Sequence, residues 1–126
     1  MTALIRTYLA LLVLLAASAA SLAAEIREGA TMTVRPDSIW FQDTAMLTHW
    51  QKLRKSGNKR AVASYEKDKL GKRDAWQFIY PMSVKIVGHT PQAHQVSVEM
   101  LEEGRMQGTH WVLDSGTLMQ KRADKP

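Results

Sequence analysis

Three stretches between Ser83 and Leu118 limit what this chain can fold into more than any other feature. "SVKIVGH" alternates apolar and polar residues through Val84 and Ile86, "HQVSVEML" does so through Val96, Val98 and Met100, and "GTHWVLD" returns as a third run. Period-two alternation over runs this short predicts strands with one buried face. Thr90-Pro91-Gln92-Ala93 joins the first two. Glu102-Glu103-Gly104 predicts a type I turn with glycine in the left-handed position, closing a hairpin loop of about three to five residues. Ser115-Gly116 allows a tight or 3₁₀ turn, after which Leu118 is expected to plug the end of the core. A last short strand, about Leu118 to Lys121, is expected to pair back with the first.

Upstream, "GATMTVRPD" alternates through Met32 and Val34 and is stopped by Pro36, which predicts that first strand. Asp43 reads as a helix N-cap, because Met46, Leu47, Trp50 and Leu53 follow at helical spacing and Gly57 stands where a C-terminal cap belongs. The helix is expected over Thr44 to Lys55. Ala61 to Leu70 fits a helical face through Val62, Tyr65 and Lys69 or Leu70 and a strand through Ala61, Ala63 and Tyr65; a short helix is preferred. "AWQFIY" alternates Trp76, Phe78 and Tyr80 and predicts extended chain, ended or placed at an edge by Pro81.

The N-terminus carries one charge, Arg6, before "LALLVLLAASAASLAA". A positive start, an apolar run of about a dozen residues and then small side chains form the pattern of a secretory signal. Cleavage is expected after Ala23, with Ala24 as the near alternative and an uncleaved anchor as the rival reading. Residues 1–23 are therefore assigned as signal peptide, residues 24–120 as one domain and residues 121–126 as a disordered tail. The location implied is periplasmic or secreted. The chain has no cysteine, so the domain can use no disulfide and must be held by its core. Roughly 100 residues suffice for one such core and not for two.

Charge is concentrated in one segment. Lys52, Arg54, Lys55, Lys59, Arg60, Lys67, Lys69, Lys72 and Arg73 face only Glu66 and Asp68, within a chain of net charge +5. The run fits a solvated helical face, or an electrostatic footprint for an envelope protein, an anionic envelope component or lipid headgroups. Peripheral membrane contact is compatible with it. Nucleic acid ranks last as a partner for an exported chain.

One early strand, a long excursion, a three-stranded meander, a turn with leucine and a closing strand resemble a small bacterial SH3-like β-barrel. "TMTVR", "VKIVGHTPQAHQVSVEML", "EEGRM", "GTHWVLDSGTL" and "MQK" carry the resemblance, with Gly108-Thr109-His110-Trp111-Val112 and Leu118 similar to the family's "G-x-x-W-V" strand and following leucine. It implies a mainly β domain of about five strands. The departure lies at about residues 37–80, where a helix and the basic segment replace the single long loop of that family. An OB-like barrel, or a helix packed on an antiparallel sheet, fits the same residues.

Catalytic motifs are scarce. No Ser, Cys or Thr sits in a nucleophile motif, and no glycine loop cradles a phosphate. His89 and His94 flank a turn and offer at most two ligands of a metal seat, with Glu99 a possible third; exposed hairpin histidines are the simpler reading. Of His110 and Trp111, neighbours in one strand, Trp111 is expected inside. The aromatic residues serve a disulfide-free core first. Trp40 and Phe41 are adjacent, however, so in extended chain one is expected to point away from that core. The candidate binding face is Trp40, Trp76 and Tyr80 with Arg54, Lys55, Lys59 and Arg60 at its edge. No catalytic residue, metal or cofactor is assigned. The sequence points to a non-catalytic binding module. An electropositive adaptor in a membrane, secretion or conjugation assembly and a small metal-dependent hydrolase are the alternatives.

Overall fold

The computed structural model describes residues 26–119. The expected signal peptide, the expected tail at 121–126 and the last residues expected of the closing strand lie outside the described residues. Seven strands form a single antiparallel sheet: β1 (Thr31–Val34), β2 (Ile39–Phe41), β3 (Ala75–Gln77), β4 (Met82–Thr90), β5 (Gln95–Met100), β6 (His110–Asp114) and β7 (Leu118–Met119), in the order β3-β2-β6-β5-β4-β1-β7. Two helices, α1 (Thr44–Ser56) and α2 (Lys59–Gly71), lie between β2 and β3 in sequence, and single 3₁₀ turns at Pro91–Ala93 and Ser115–Thr117 join later strands. The fold is mixed α/β with a substantial sheet, richer in strands than expected. The excursion predicted to be helical and basic supplies β2 and β3 as well as the helices.

Local chemistry sets the helix ends. The Asp43 carboxylate accepts from the Met46 amide at 2.8 Å, and Gly57, at φ 78°, closes α1 with its N–H donated to the Arg54 carbonyl. Asn58 then caps α2, accepting from the Ala61 amide at 3.0 Å. The link is so short that α2 must turn back along α1. Tyr65 donates its hydroxyl to the Met46 carbonyl at 3.2 Å, and Trp50 Nε1 donates to Glu66 Oε2 at 2.8 Å. Burial, with Asp43, Asp68 and Asp74 adding to it, raises the Tyr65 pKa above its ordinary 10.0, so the donating proton is held more firmly.

The hairpin between β5 and β6 departs from the sequence reading. The connection runs over residues 101–109, and Gly108, at φ 82°, closes it by donating to the Met100 carbonyl at 2.9 Å. The loop is long because Met106 folds inward against the main core. Glu102 is also tied back, accepting from the Ser83 amide at 2.8 Å. Leu118 ends that core as expected, and β7 pairs with β1 through Val34↔Leu118.

Two apolar clusters lie on opposite faces of the sheet. The larger contains Val34, Trp40, Val84, Ile86, Val96, Val98, Met100, Trp111, Leu113 and Leu118 and takes no residue from either helix. A sheet face buried without a covering layer has to curl over itself, and the register shift between Ile86 and Gly88 in β4 is where such a bend is accommodated. The smaller cluster, Ile39, Phe41, Leu47, Trp50 and Ala75, lies under the helices. Strand β2 serves both: Trp40 enters the first and its neighbours the second.

Phe41→Ala is expected to lower stability by about 3–5 kcal/mol in urea unfolding, the usual range for removing a buried aromatic ring. A loss below about 1 kcal/mol would show that the helices are anchored elsewhere.

Candidate functional site

Along α1, Thr44, Thr48, Gln51, Lys52 and Lys55 recur at three- and four-residue spacing and so share one face. That face does not meet the core. With Arg54 it forms one wall of an open groove of about 870 Å³, with Gln92, Ala93 and His94 opposite and Gln95, Asp114, Ser115 and Gly116 completing the lining. Three separate parts of the chain therefore converge: the first helix, the β4–β5 turn and the β6–β7 turn.

Side-chain amides hold these parts together. Gln95 is only 8% exposed, and its Nε2 donates to Thr48 Oγ1 at 2.9 Å and to Gln51 Oε1 at 3.0 Å. Gln51 Nε2 donates to the carbonyls of Ala93 and His94 at 3.2 and 3.1 Å and to Asp114 Oδ1 at 2.9 Å. Asp114 Oδ2 accepts from the Gly116 amide, and the Ser115 amide donates to the His94 carbonyl at 2.8 Å. Acceptors in the groove are thus largely used internally. Unused donors remain in Lys52, Lys55 and the hydroxyls of Thr44 and Ser115, and Lys52 and Lys55 pair with no carboxylate among the described residues. Such a lining favours ligands rich in acceptors or negative charge.

The predicted face is not assembled. Trp40 is 1% exposed, in edge contact with Phe78 at 5.0 Å and Trp111 at 6.4 Å between ring centroids, which removes it from any surface role. The expectation that Trp40 or Phe41 points away from the core fails because the strand has a core on each side. Trp76 lies directly opposite Trp40 across β2–β3 and is half-buried against the same cluster. Tyr80 does stand exposed, at 67%, beside equally exposed Ile79 in the β3–β4 connection. Arg54, Lys55, Lys59 and Arg60 cluster around the α1–α2 link, with the Arg54 guanidinium 4.7 Å from the Trp50 ring centroid. Lys55 and Arg54 reach the groove; Lys59 and Arg60 do not line it.

The residues missed were Thr48, Gln51, Gln95 and Asp114. The Thr44, Thr48, Gln51, Lys55 spacing marks a polar helical face, and Gln95 opens an alternating strand out of phase with the core-facing Val96, Val98 and Met100. His89 pairs with Val96 while His94 sits within the turn at φ 52°, so the strand register does not set them opposite each other. Glu99 instead meets His110 at 3.2 Å across β5–β6. Among the described residues, no group of three or more His, Cys, Asp or Glu side chains is placed to hold a metal ion. His110 is exposed and Trp111 buried, as their alternation requires.

Comparison with protein-family models, curated proteins and solved structures gave no match.

Gln51→Leu should shift the amide resonances of residues 92–95 and lower stability by about 1–3 kcal/mol, because polar partners lose their bonds. Unchanged resonances and stability would mean that the amide network does not hold the groove's walls together.

Proposed function

We propose that this chain is an exported, non-catalytic binding or accessory module, and that its groove receives an acceptor-rich segment of a protein or an anionic envelope component. The carrying observation is the imbalance within the groove: acceptors satisfied internally, cations and hydroxyl donors left open. The leader-like residues 1–23 support export. The fold proposed is a small SH3-like barrel with an inserted layer. The order β7-β1-β4-β5-β6, the 3₁₀ turn before Leu118 and the self-buried sheet face support it. The insertion, about residues 37–80, then supplies one wall of the groove where the resembled family has a long loop.

The adaptor alternative draws on a separate observation, the cationic surface of the helix pair. The hydrolase alternative has the least support, since Glu99 is engaged by His110 and His89 faces Val96 across the ladder.

Residues 24–126 can be used to capture partners from an envelope extract at salt of about 0.05 and 0.5 M, a range over which screening changes severalfold. Lys52→Gln/Lys55→Gln is expected to reduce specific capture at low salt about tenfold or more, as losing two charge-assisted contacts should. Capture indifferent to both changes would overturn the groove as the binding site.

A further inference from the structure

Helix α2 contributes no fully buried residue, and its outer stripe is Arg60, Ala63, Ser64, Lys67 and Gly71, all exposed. These positions lie three and four residues apart and face one way. Nothing bulky stands between the two cations, so they project from a nearly flat surface. The neighbouring acids are each engaged by another side chain. Glu66 accepts from the Trp50 indole at 2.8 Å, and Asp68 is bridged by Lys72 at 3.2 Å and Lys69 at 3.7 Å. Among the described residues, Lys59, Arg60 and Lys67 pair with no carboxylate.

Two shallow depressions flank the stripe. One, of about 350 Å³, lies between Arg54 and Lys59 over Gly57 and Ala63; the other, of about 430 Å³, lies between Lys67 and Lys72 over Ser64 and Gly71. Each is a small concavity bordered by cations, with one of the two engaged carboxylates, Glu66 or Asp68, in its lining. No helix among the described residues is long and apolar enough to cross a membrane.

We propose that the outer face of α2 docks on the surface of an anionic phospholipid bilayer, with lipid phosphates seated between these cations. The stripe carries no large apolar side chain, so docking is adsorption at headgroup level and falls with salt. The stripe lies outside the groove, and only Arg54 lines both the groove and the first depression, so the groove's proposed role can fail without affecting it.

The test is co-sedimentation of residues 24–126, which contain every residue described in the two cores and omit the apolar leader that would itself enter lipid. Vesicles of phosphatidylcholine with about 30% phosphatidylglycerol, a strongly anionic surface, are compared with pure phosphatidylcholine. Binding is expected only to the anionic vesicles. Arg60→Gln/Lys67→Gln should weaken it about 25-fold, at roughly fivefold per cation. Lys85→Gln, which removes an exposed cation on β4 that belongs neither to the stripe nor to either depression, should leave it within about twofold. Equal binding to both vesicle types, no binding to either, or equal losses in the α2 and Lys85 variants would overturn the proposal. So would a loss in Lys52→Gln/Lys55→Gln as large as in the α2 variant, because contact would then run through the groove wall.

Discussion

Three consecutive residues, Ile39, Trp40 and Phe41, are buried on both faces of one short strand, and the rest of the molecule is arranged around that fact. Alternation along β2 sends Trp40 into the core that the sheet builds for itself and sends Ile39 and Phe41 into the core beneath the helices. A strand of this kind cannot lie at the surface. It forces a helical layer to stand on one side and a curled sheet on the other. Phe41 is the hinge of this arrangement, paired with Ala75 on β3 and Val112 on β6 while packing near Trp50 and Tyr65.

The groove follows from that packing. Once Leu47 and Trp50 fix one face of α1 to the sheet, the face bearing Thr44, Thr48, Gln51 and Lys55 must lie along the ends of β5 and β6. Gln95, on the same side of the sheet, is then buried with a polar amide that needs partners, and Gln51 and Thr48 supply them. The resulting network is fully satisfied: no buried side-chain polar atom among the described residues lacks a partner. A satisfied network stiffens a surface, and donors left over at its rim are thereby held in place.

Much of the sheet was legible. The runs around Val84, Val96 and Trp111 alternate because each strand has one face in the main core, and Asp43 and Gly57 mark α1 because capping chemistry is local. What sequence could not reveal depended on a second core. With only one core in view, Trp40-Phe41 implied an outward aromatic, and "AWQFIY" read as extended chain at an edge without showing that Ala75–Gln77 would pair with β2. The β5–β6 loop was misjudged for a similar reason. Glu102-Glu103-Gly104 has turn chemistry, but the burial of Met106 rewards a wider loop closed at Gly108. The groove lies between segments far apart in the chain, so no local pattern marks it, although the helical spacing of its polar wall was visible.

The helical layer is integral to the fold, joined to the sheet through β2, and native-state hydrogen exchange tests this directly. If β2 holds both cores, amides near Leu47 and Trp50 in α1, Phe41 in β2 and Val98 in β5 should all exchange through global unfolding, with one common free energy and one common dependence on urea. Exchange of the α1 amides through a lower-energy opening, while β5 remains protected, would show that the helices are a detachable insertion and would contradict the account.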